Sequence, residues 1–312
     1  MTGRWILVMA LAGAVVAAAL AGGVGPAQAT YPGANGRIAF GMTAPGDAQP
    51  DVYSVLPNGS AAKQLTQDPA FDACADYSAD GKQIAYCSSV GDPTGQFDIW
   101  TMKANGKDKR RLTQLGGGAT FPDFSPDGSK IAFGARPAGA ANVDVYVMNA
   151  DGSDLVQLTT APGNDRYPAW SPDGSKIVFE SERTGLNQVW IMNADGGGQT
   201  QLTLDATQKD QTPEWSPDGT QIAYTVNGAV NVAGGDIWVM NADGSDQHPI
   251  TSGPEREYGP VWSPDGTQLA FLDFGSRTVY VMNADGSGRY AVHPGGVQFV
   301  PAWQPHTEDE DD

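Results

Sequence analysis

Residues 170–179 read Trp-Ser-Pro-Asp-Gly-Ser-Lys-Ile-Val-Phe, and this stretch recurs with small changes along most of the chain. Its Ser-x-Asp-Gly core occurs five times, at intervals of 47, 46, 45 and 47 residues: Ser78, Ser125, Ser171, Ser216 and Ser263. A short apolar run follows each copy, and residues 35–40 repeat only this second half. Self-similarity at such a period is typical of a repeat architecture.

Each repeat contains four short segments, which we call A to D. Segment A carries Pro-x-Trp-Ser, B carries Ile-Ala-Phe, C carries Asp-Ile-Trp-Val-Met and D ends in Leu-Thr. Pro-Asp-Gly between A and B and Asn-Ala-Asp-Gly between C and D both favour tight turns. Segment C is apolar on both faces, for example at residues 236–240, which is typical of a strand buried between stacked sheets.

The order of the segments predicts how the repeats close. The first repeat begins with a B segment, Arg37 to Phe40, and the last ends with an A segment, Phe299 to Trp303. Six complete units result only if the last A segment joins the first sheet, which also removes unpaired edges. We therefore expect an all-β, six-bladed β-propeller with four-stranded blades, closed by a C-terminal strand that joins the first blade. The propeller is expected to span residues 30–306.

The three motifs together resemble the TolB-type propeller repeat, a WD40-like repeat family. The resemblance covers nearly all of the chain after residue 34, but only as a propeller. We find no counterpart of the N-terminal α/β domain of TolB proteins, nor of the hydrolase domain that prolyl oligopeptidase relatives carry, and expect a stand-alone propeller. The resemblance implies a role in the cell envelope, while a shared fold does not by itself imply an activity.

Charge and the two termini indicate where the protein works. The 36 acidic and 18 basic residues give a net charge of −18, which disfavours nucleic acid and anionic lipid as partners. Arg4, an uncharged run from Trp5 to Ala21 and a small-residue site at Ala29 predict a signal peptide over residues 1–29. An uncleaved anchor is the alternative. We expect an exported monomer, periplasmic or extracellular, with no membrane span after cleavage and a solvated acidic tail at residues 307–312.

Few residues suggest catalysis or metal binding. The three histidines, His248, His293 and His306, lie in different segments without metal-ligand spacing. Neither a nucleophile elbow, a phosphate loop nor a His-Glu-x-x-His motif is present. The Asn-Ala-Asp-Gly copies resemble part of an EF-hand loop, but Val or Ile occupies the position of its first Asp. We expect no catalytic residue, cofactor or metal site, and a calcium ion held by carboxylates in the central channel stays open.

A binding site is expected where the repeats differ, because residues common to all copies build the scaffold. The B–C and D–A loops emerge on one face, and mixed aromatic and charged residues precede the A segments there. The candidates are Asp72, Phe121, Arg166, Tyr167, Gln211, Tyr258 and Phe299. Ordinary variability of a solvated rim is the alternative interpretation.

The leading functional hypothesis is a non-enzymatic scaffold that binds a protein or peptide ligand in the cell envelope. A propeller enzyme of the lyase or lactonase type, with its site at the channel mouth, is one alternative. An accessory subunit of a separately encoded hydrolase or transporter is the other.

The two cysteines are expected to form a disulfide in the second unit. Counting outward from the turn at residues 80–81 places Cys74 directly opposite Cys87, within disulfide reach. A bulge would leave the two residues diagonal, and a pair of buried thiols is the alternative. Export would supply the oxidising compartment that the bond requires.

Overall fold

The computed structural model describes residues 34–228, 235–293 and 295–306 of the chain. The predicted signal peptide at residues 1–29 and the predicted acidic tail at residues 307–312 lie outside these described residues. Within the described ranges the regular structure consists entirely of 24 strands, which form six four-stranded antiparallel sheets. A search of the same ranges finds no helix with the length and apolar character needed to cross a membrane.

Each sheet is one blade of a propeller, and its strands follow the A-B-C-D order of the sequence repeat. Blade 1 contains β1 (Ala34–Met42), β2 (Asp51–Val55), β3 (Lys63–Gln64) and β24 (Ala302–His306). Blade 2 contains β4 (Asp72–Tyr77), β5 (Gln83–Ser88), β6 (Asp98–Lys103) and β7 (Arg110–Arg111). Blade 3 contains β8 (Ala119–Phe124), β9 (Lys130–Ala135), β10 (Asp144–Asn149) and β11 (Val156–Gln157).

The remaining three blades repeat the same arrangement. Blade 4 contains β12 (Asp165–Trp170), β13 (Lys176–Ser181), β14 (Gln188–Asn193) and β15 (Thr200–Gln201). Blade 5 contains β16 (Gln208–Trp215), β17 (Gln221–Gly228), β18 (Gly235–Asn241) and β19 (His248–Pro249). Blade 6 contains β20 (Glu257–Trp262), β21 (Gln268–Asp273), β22 (Thr278–Asn283) and β23 (Tyr290–His293).

The ring closes through the C-terminal strand, as the sequence predicts. Strand β24 pairs antiparallel with β1 and places Trp303 opposite Ile38, so that one blade is built from both ends of the repeat array. The closing strand begins at Ala302 and not at Phe299, which lies in the bend that precedes it. The A strands of neighbouring blades contact one another around the ring and form its inner wall.

Residues common to the repeats build the scaffold. In blade 4 the Ser171 hydroxyl donates to Asp173 at 2.6 Å and accepts the Lys176 N–H at 2.9 Å, which fixes the A–B turn. The Leu-Thr motif has a matching role, because Thr159 Oγ1 accepts the N–H of Val145 at the start of a C strand. Between blades, apolar side chains of C strands pack against A and B strands of the next blade, as segment C predicts.

A β-bulge interrupts the A strand of blades 2 to 6, and no repeat motif predicts its position. In blade 4 the pairing with the B strand shifts between Arg166 and Ala169. The residue after Arg166, Tyr167, has a φ of 50°, in the left-handed region. The equivalent residues also have positive φ: Cys74, Phe121, Thr212 and Gly259. Bulges re-aim side chains, and these five residues all line the central channel.

The bulge also corrects the predicted pairing of the cysteines. Cys74 and Cys87 do form a disulfide, with their Cα atoms 5.5 Å apart. However, Ala73 lies opposite Cys87, because Cys74 is itself the bulged residue. The prediction that Cys74 lies directly opposite Cys87 is therefore wrong, whereas the predicted disulfide between them is present.

Candidate functional site at the channel mouth

A narrow channel runs along the axis of the ring. Its cavity has a volume of about 90 Å³ and is lined by A-strand residues of all six blades. The bulged residues lie on its wall together with a proline that follows the bulge in most blades, such as Pro168 and Pro213. Side chains that differ between blades therefore meet in one small space on the propeller axis.

Aromatic rings from three blades stack along one side of the channel mouth. Phe121 and Tyr167 are stacked with ring centroids 3.9 Å apart. The Tyr258 hydroxyl donates to the Tyr167 hydroxyl at 3.3 Å, and the Tyr258 ring lies 5.2 Å from Phe274. Phe274 is 39% exposed at the outer end of this row.

Three further rings form a second group, which meets Phe121 at the Cys74–Cys87 disulfide. Phe71 lies 4.9 Å from Phe97 and 5.2 Å from Phe299, centroid to centroid, and all three pack against the Cys74–Cys87 disulfide. We call the seven rings the aromatic collar: Phe71, Phe97, Phe121, Tyr167, Tyr258, Phe274 and Phe299. They come from five of the six blades, and every one is partly exposed.

The structure thus brings four of the predicted site residues into the collar and places the other three elsewhere. Arg166 lies beside Tyr167 and forms an ion pair with Glu182. Gln211 accepts a hydrogen bond from Asn227 of its own blade at 2.9 Å. Asp72 is fully buried, and burial raises its pKa to about 6, so its carboxyl group is not offered to a ligand at the surface.

Three of the collar rings, Phe71, Phe97 and Phe274, were not among the sequence candidates. Phe97 and Phe274 lie in B–C loops, and their contacts with D–A residues show that the two loop types meet at one end of the ring. The sequence did contain a usable signal. Phe97 immediately precedes segment C of its repeat, where the other copies have no aromatic residue.

The sequence candidates also omit three carboxylates on the channel wall: Asp76, Asp123 and Glu214. Asp76 accepts the backbone N–H of Phe124 at 2.9 Å, and Asp123 accepts that of Trp170 at 2.7 Å, each from the next blade. All three occupy the position two residues before the Ser of Ser-x-Asp-Gly, where the copies differ. Because the copies differ there, the criterion used for the loops would have found them.

Two of these half-buried carboxylates, Asp76 and Asp123, lie in surroundings that disfavour charge. Burial raises the pKa of Asp76 to about 7. The pKa of Asp123 is also raised well above its usual range, first by burial and then by the charges of Asp76 and Glu214. Like charges that share a low-dielectric space oppose one another's ionisation.

A fourth carboxylate lies beneath the collar. Glu180 is fully buried, accepts hydrogen bonds from Asn187 Nδ2 and the Thr212 N–H, and has its pKa raised to about 7 by burial. Its charge in turn contributes to raising the pKa of Tyr167 and Tyr258, after the larger effect of burial. A buried titratable group therefore lies within electrostatic reach of Tyr167 and Tyr258.

The histidines lie away from this site. His248 and His293 belong to D strands, the outermost strands of their blades, and His306 is at the end of β24. Among the described residues, no three His, Cys, Asp or Glu side chains are grouped closely enough to hold a metal ion. The site thus consists of the aromatic collar and of a narrow channel with three carboxylates on its wall: Asp76, Asp123 and Glu214.

Comparison with known proteins places the fold. Residues 114–237 match the family model of the TolB beta propeller domain, and a search of curated protein sequences returns no match. The structure of TolB from Acinetobacter baumannii is similar, with a TM-score of 0.70 and 23% identity over 87% of this chain and 67% of that chain. A putative TolB from Agrobacterium tumefaciens gives a TM-score of 0.67 and 20% identity, covering 86% of this chain and 91% of that chain.

A chain of the Nidogen/Laminin complex is similar to the same extent, with a TM-score of 0.69 at 13% identity, covering 86% of this chain and 98% of that chain. At such identities the likeness shows the shared fold alone. Taken with the repeat motifs and the closed ring of six four-stranded blades, it leads to one conclusion. The chain is a six-bladed β-propeller whose central repeats match the TolB beta propeller domain model.

Proposed function

We propose that this propeller is an exported, non-enzymatic scaffold of the cell envelope that binds a protein or peptide ligand through the aromatic collar. The observation that carries the proposal is the set of seven partly exposed rings in mutual contact, of which Phe121 and Tyr167 line the channel. Aromatic residues are enriched in protein interfaces, where a few of them supply most of the binding free energy.

The collar is suited to binding because its rings are held in place before a ligand arrives. Tyr167 and Tyr258 lie on strands, are joined by a hydrogen bond, and are positioned by the bulges of their A strands. The Cys74–Cys87 disulfide supports Phe71, Phe121 and Phe299. Preorganised side chains lose little conformational entropy on binding, so more of the contact free energy appears as affinity.

The proposed location has two supports. A disulfide bond persists in oxidising compartments, and this chain contains one. The similarity of the fold to the two TolB structures agrees with a role in the cell envelope. A periplasmic or extracellular site of action accommodates both.

The proposal can be tested by comparing capture of envelope proteins by matched variants. The wild-type protein, the Tyr258→Ala variant and the double variant Arg166→Ala, Tyr167→Ala are purified and immobilised separately. The control variant is Asp243→Ala, which lies in a C–D turn on the opposite face of the propeller. Loss of a hot-spot ring costs about 2 kcal/mol or more, a roughly 30-fold loss of affinity. A ligand retained by the collar variants and lost by the control would contradict the proposal.

One observation favours a second candidate, a propeller enzyme with its site in the channel. Carboxylates whose pKa values are raised toward neutrality, as at Asp76 and Asp123, are typical of acid–base sites. Lactone hydrolysis and uronate elimination are the reactions to assay. Turnover that disappears in Asp123→Asn would support the enzyme, whereas turnover unchanged in that variant would assign it to a contaminant.

A further inference from the structure

Acidic side chains of neighbouring blades approach one another where the blades join. At three joints an acidic residue at the start of a C strand is within electrostatic reach of one at the start of the next A strand: Asp51 with Asp72, Asp144 with Asp165, and Asp236 with Glu257. A buried carboxylate is costly unless a cation or hydrogen-bond donors meet it. Arg183 meets Asp165 at 2.8 Å. Arg289 forms an ion pair with Glu257 in the same way.

The joint between blades 1 and 2 differs, because neither of its two carboxylates forms an ion pair within the described ranges. Asp51 accepts hydrogen bonds from Thr66 Oγ1 and Gln64 Nε2, both at 2.9 Å. Asp72 is fully buried, and neither of its oxygens has a hydrogen-bond partner in the part of the chain that the structure describes. The two side chains therefore share buried space without the cation that the other two joints provide.

Blade 4 supplies its cation from the loop that follows the B strand. Arg183 comes two residues after Ser181, and in blade 2 the same step from Ser88 leads to Val90. The two serines are equivalent, because each lies opposite the acidic residue of its A strand. Blade 2 thus has an apolar side chain at the position of the guanidinium.

Blade 6 supplies its cation from the residue before the D strand, and here blade 2 does have a basic residue. Lys109 immediately precedes β7, as Arg289 immediately precedes β23. However, the Lys109 ammonium donates to the carbonyl oxygens of Leu65 at 3.1 Å and Gly106 at 3.0 Å. Its hydrogen bonds hold it at the C–D turn and not at the acidic pair.

The other charged groups around Asp72 do not compensate for the missing cation. Burial is the main reason that the pKa of Asp72 is raised to about 6, and the charges of Asp68 and Asp51 add to the effect. The titratable and charged groups nearest to it on the neighbouring elements are Asp47 in the β1–β2 loop, Asp51 and Tyr53 on β2, Asp68 before β4, Tyr86 on β5, and the Asp98–Arg111 ion pair of β6 and β7. The one guanidinium in this set is already paired.

We propose that the joint between blades 1 and 2 is a pH-sensitive latch, closed while Asp72 is neutral and loosened when Asp72 ionises with no cation to meet it. Because the pKa of Asp72 is higher in the closed joint than in an open one, this contribution to closure is present below about pH 4 and is lost as the pH rises through about 6. The latch goes beyond the proposed function and does not depend on it.

Hydrogen exchange of single backbone amides, followed by NMR, tests the latch. The Asp72 N–H donates across this joint to the Pro50 carbonyl at 2.9 Å, and the Ala119 N–H donates across the next joint to the Phe97 carbonyl at 2.8 Å. After correction for the intrinsic exchange rate, a pKa of about 6 in the closed joint against 3.8 in the open one makes opening at Asp72 rise about tenfold from pH 5 to pH 8. Ala119 is the internal control, because its joint has no acidic residue at the start of the A strand. An equal change at both amides would overturn the proposal.

Two variants connect the effect to Asp72. Asp72→Asn keeps the shape of the side chain and cannot ionise, so the rise at this amide should disappear. The double variant Val90→Arg, Lys109→Gln copies Arg183 and Gln199 of blade 4, which are joined by a hydrogen bond, and should also abolish the rise because Asp72 gains a guanidinium. A rise that persists in Asp72→Asn would refute the latch. If that variant does not fold, a rise that persists in the arginine variant would refute it.

The collar provides a second readout, since Phe71 immediately precedes Asp72. Its ring lies 5.2 Å from that of Phe299, which belongs to blade 1, so this contact crosses the joint. The nuclear Overhauser effect between the two rings should be weaker at pH 8 than at pH 5 in the wild-type protein and equal at both pH values in Asp72→Asn. An equal effect at both pH values in the wild-type protein would contradict a loosening of the joint.

Discussion

Removal of the strand that closes the ring should be far more damaging than removal of the tail that follows it. A chain that ends at residue 297 lacks β24 and the bend before it, whereas a chain that ends at residue 306 keeps both. The shorter chain loses the pairing of Trp303 with Ile38 and of Ala302 with Ala39. It also loses the hydrogen bond from the Gln298 N–H to the Gly41 carbonyl at 3.0 Å.

The magnitude follows from the burial of the lost side chains. Trp303 is 6% exposed and packs with Ile38, Phe40 and Val55 in the core of the closing blade. Loss of a buried Trp side chain costs about 3–5 kcal/mol, against a total stability of about 5–15 kcal/mol for most domains. For a domain of this size, Trp303→Ala alone should lower the melting temperature by about 6–20 °C, at about 2–4 °C per kcal/mol.

Thermal melting and sedimentation of the two truncated chains and of Trp303→Ala provide the measurement. The chain that ends at 297 should be unfolded or associated through the exposed edge of β1, whereas the chain that ends at 306 should melt like the full chain. Equal melting temperatures and monomeric behaviour for both truncations would refute closure by the C-terminal strand.

Three further changes test other parts of the account. The double change Cys74→Ser and Cys87→Ser should lower the free energy of unfolding by about 3 kcal/mol, because the bond closes a loop over a sequence separation of 13. Intact-mass analysis of the unreduced wild-type protein checks the bond itself: uptake of two alkyl groups would show that it is absent. Gly259→Ala should destabilise blade 6 by about 1–3 kcal/mol in urea, because the added Cβ would lie 2.1 Å from Val300 Cγ1. Val300→Ala in the same chain should restore only part of the loss, because the added Cβ would still lie 2.7 Å from the Cβ of residue 300 and residue 259 has a φ of 63°. Glu180 has its pKa raised in the folded state, so its contribution to the free energy of unfolding is lost as the pH rises through about 7. Glu180→Gln should remove that contribution to the difference between pH 5 and pH 8, and an unchanged difference would show that Glu180 is not the titrating group.

The sequence predicted the fold well because each repeated residue acts locally. Ser171 and Asp173 form their turn within one hairpin, and the order of segments alone fixes which strand must close the ring. The bulge was not predictable in this way. Cys74, Phe121 and Thr212 share no side-chain chemistry, so their common backbone conformation depends on the packing of A strands around the axis.

The candidate site was predicted only in part, for a related reason. Phe121, Tyr167, Tyr258 and Phe299 were found because they stand just before a recognisable motif. Phe97 and Phe274 come from B–C loops, and the folding of each blade brings them against residues at the start of its A strand or just before it. Phe71 precedes Asp72, and its contact with Phe299 depends on the closed ring. Asp72 is a candidate of the opposite kind: it also stands just before an A segment, but its side chain is fully buried and does not reach the surface.

The central claim is that a partner binds at the collar, and site-specific photo-crosslinking in the living cell tests it most directly. A photoreactive phenylalanine analogue replaces Phe274 at the edge of the collar in one chain, and Asp243 on the opposite face in another. The account predicts a discrete crosslinked partner from position 274, which disappears when Tyr258→Ala is added, and none from position 243. A partner crosslinked from position 243 and absent from position 274 would contradict it.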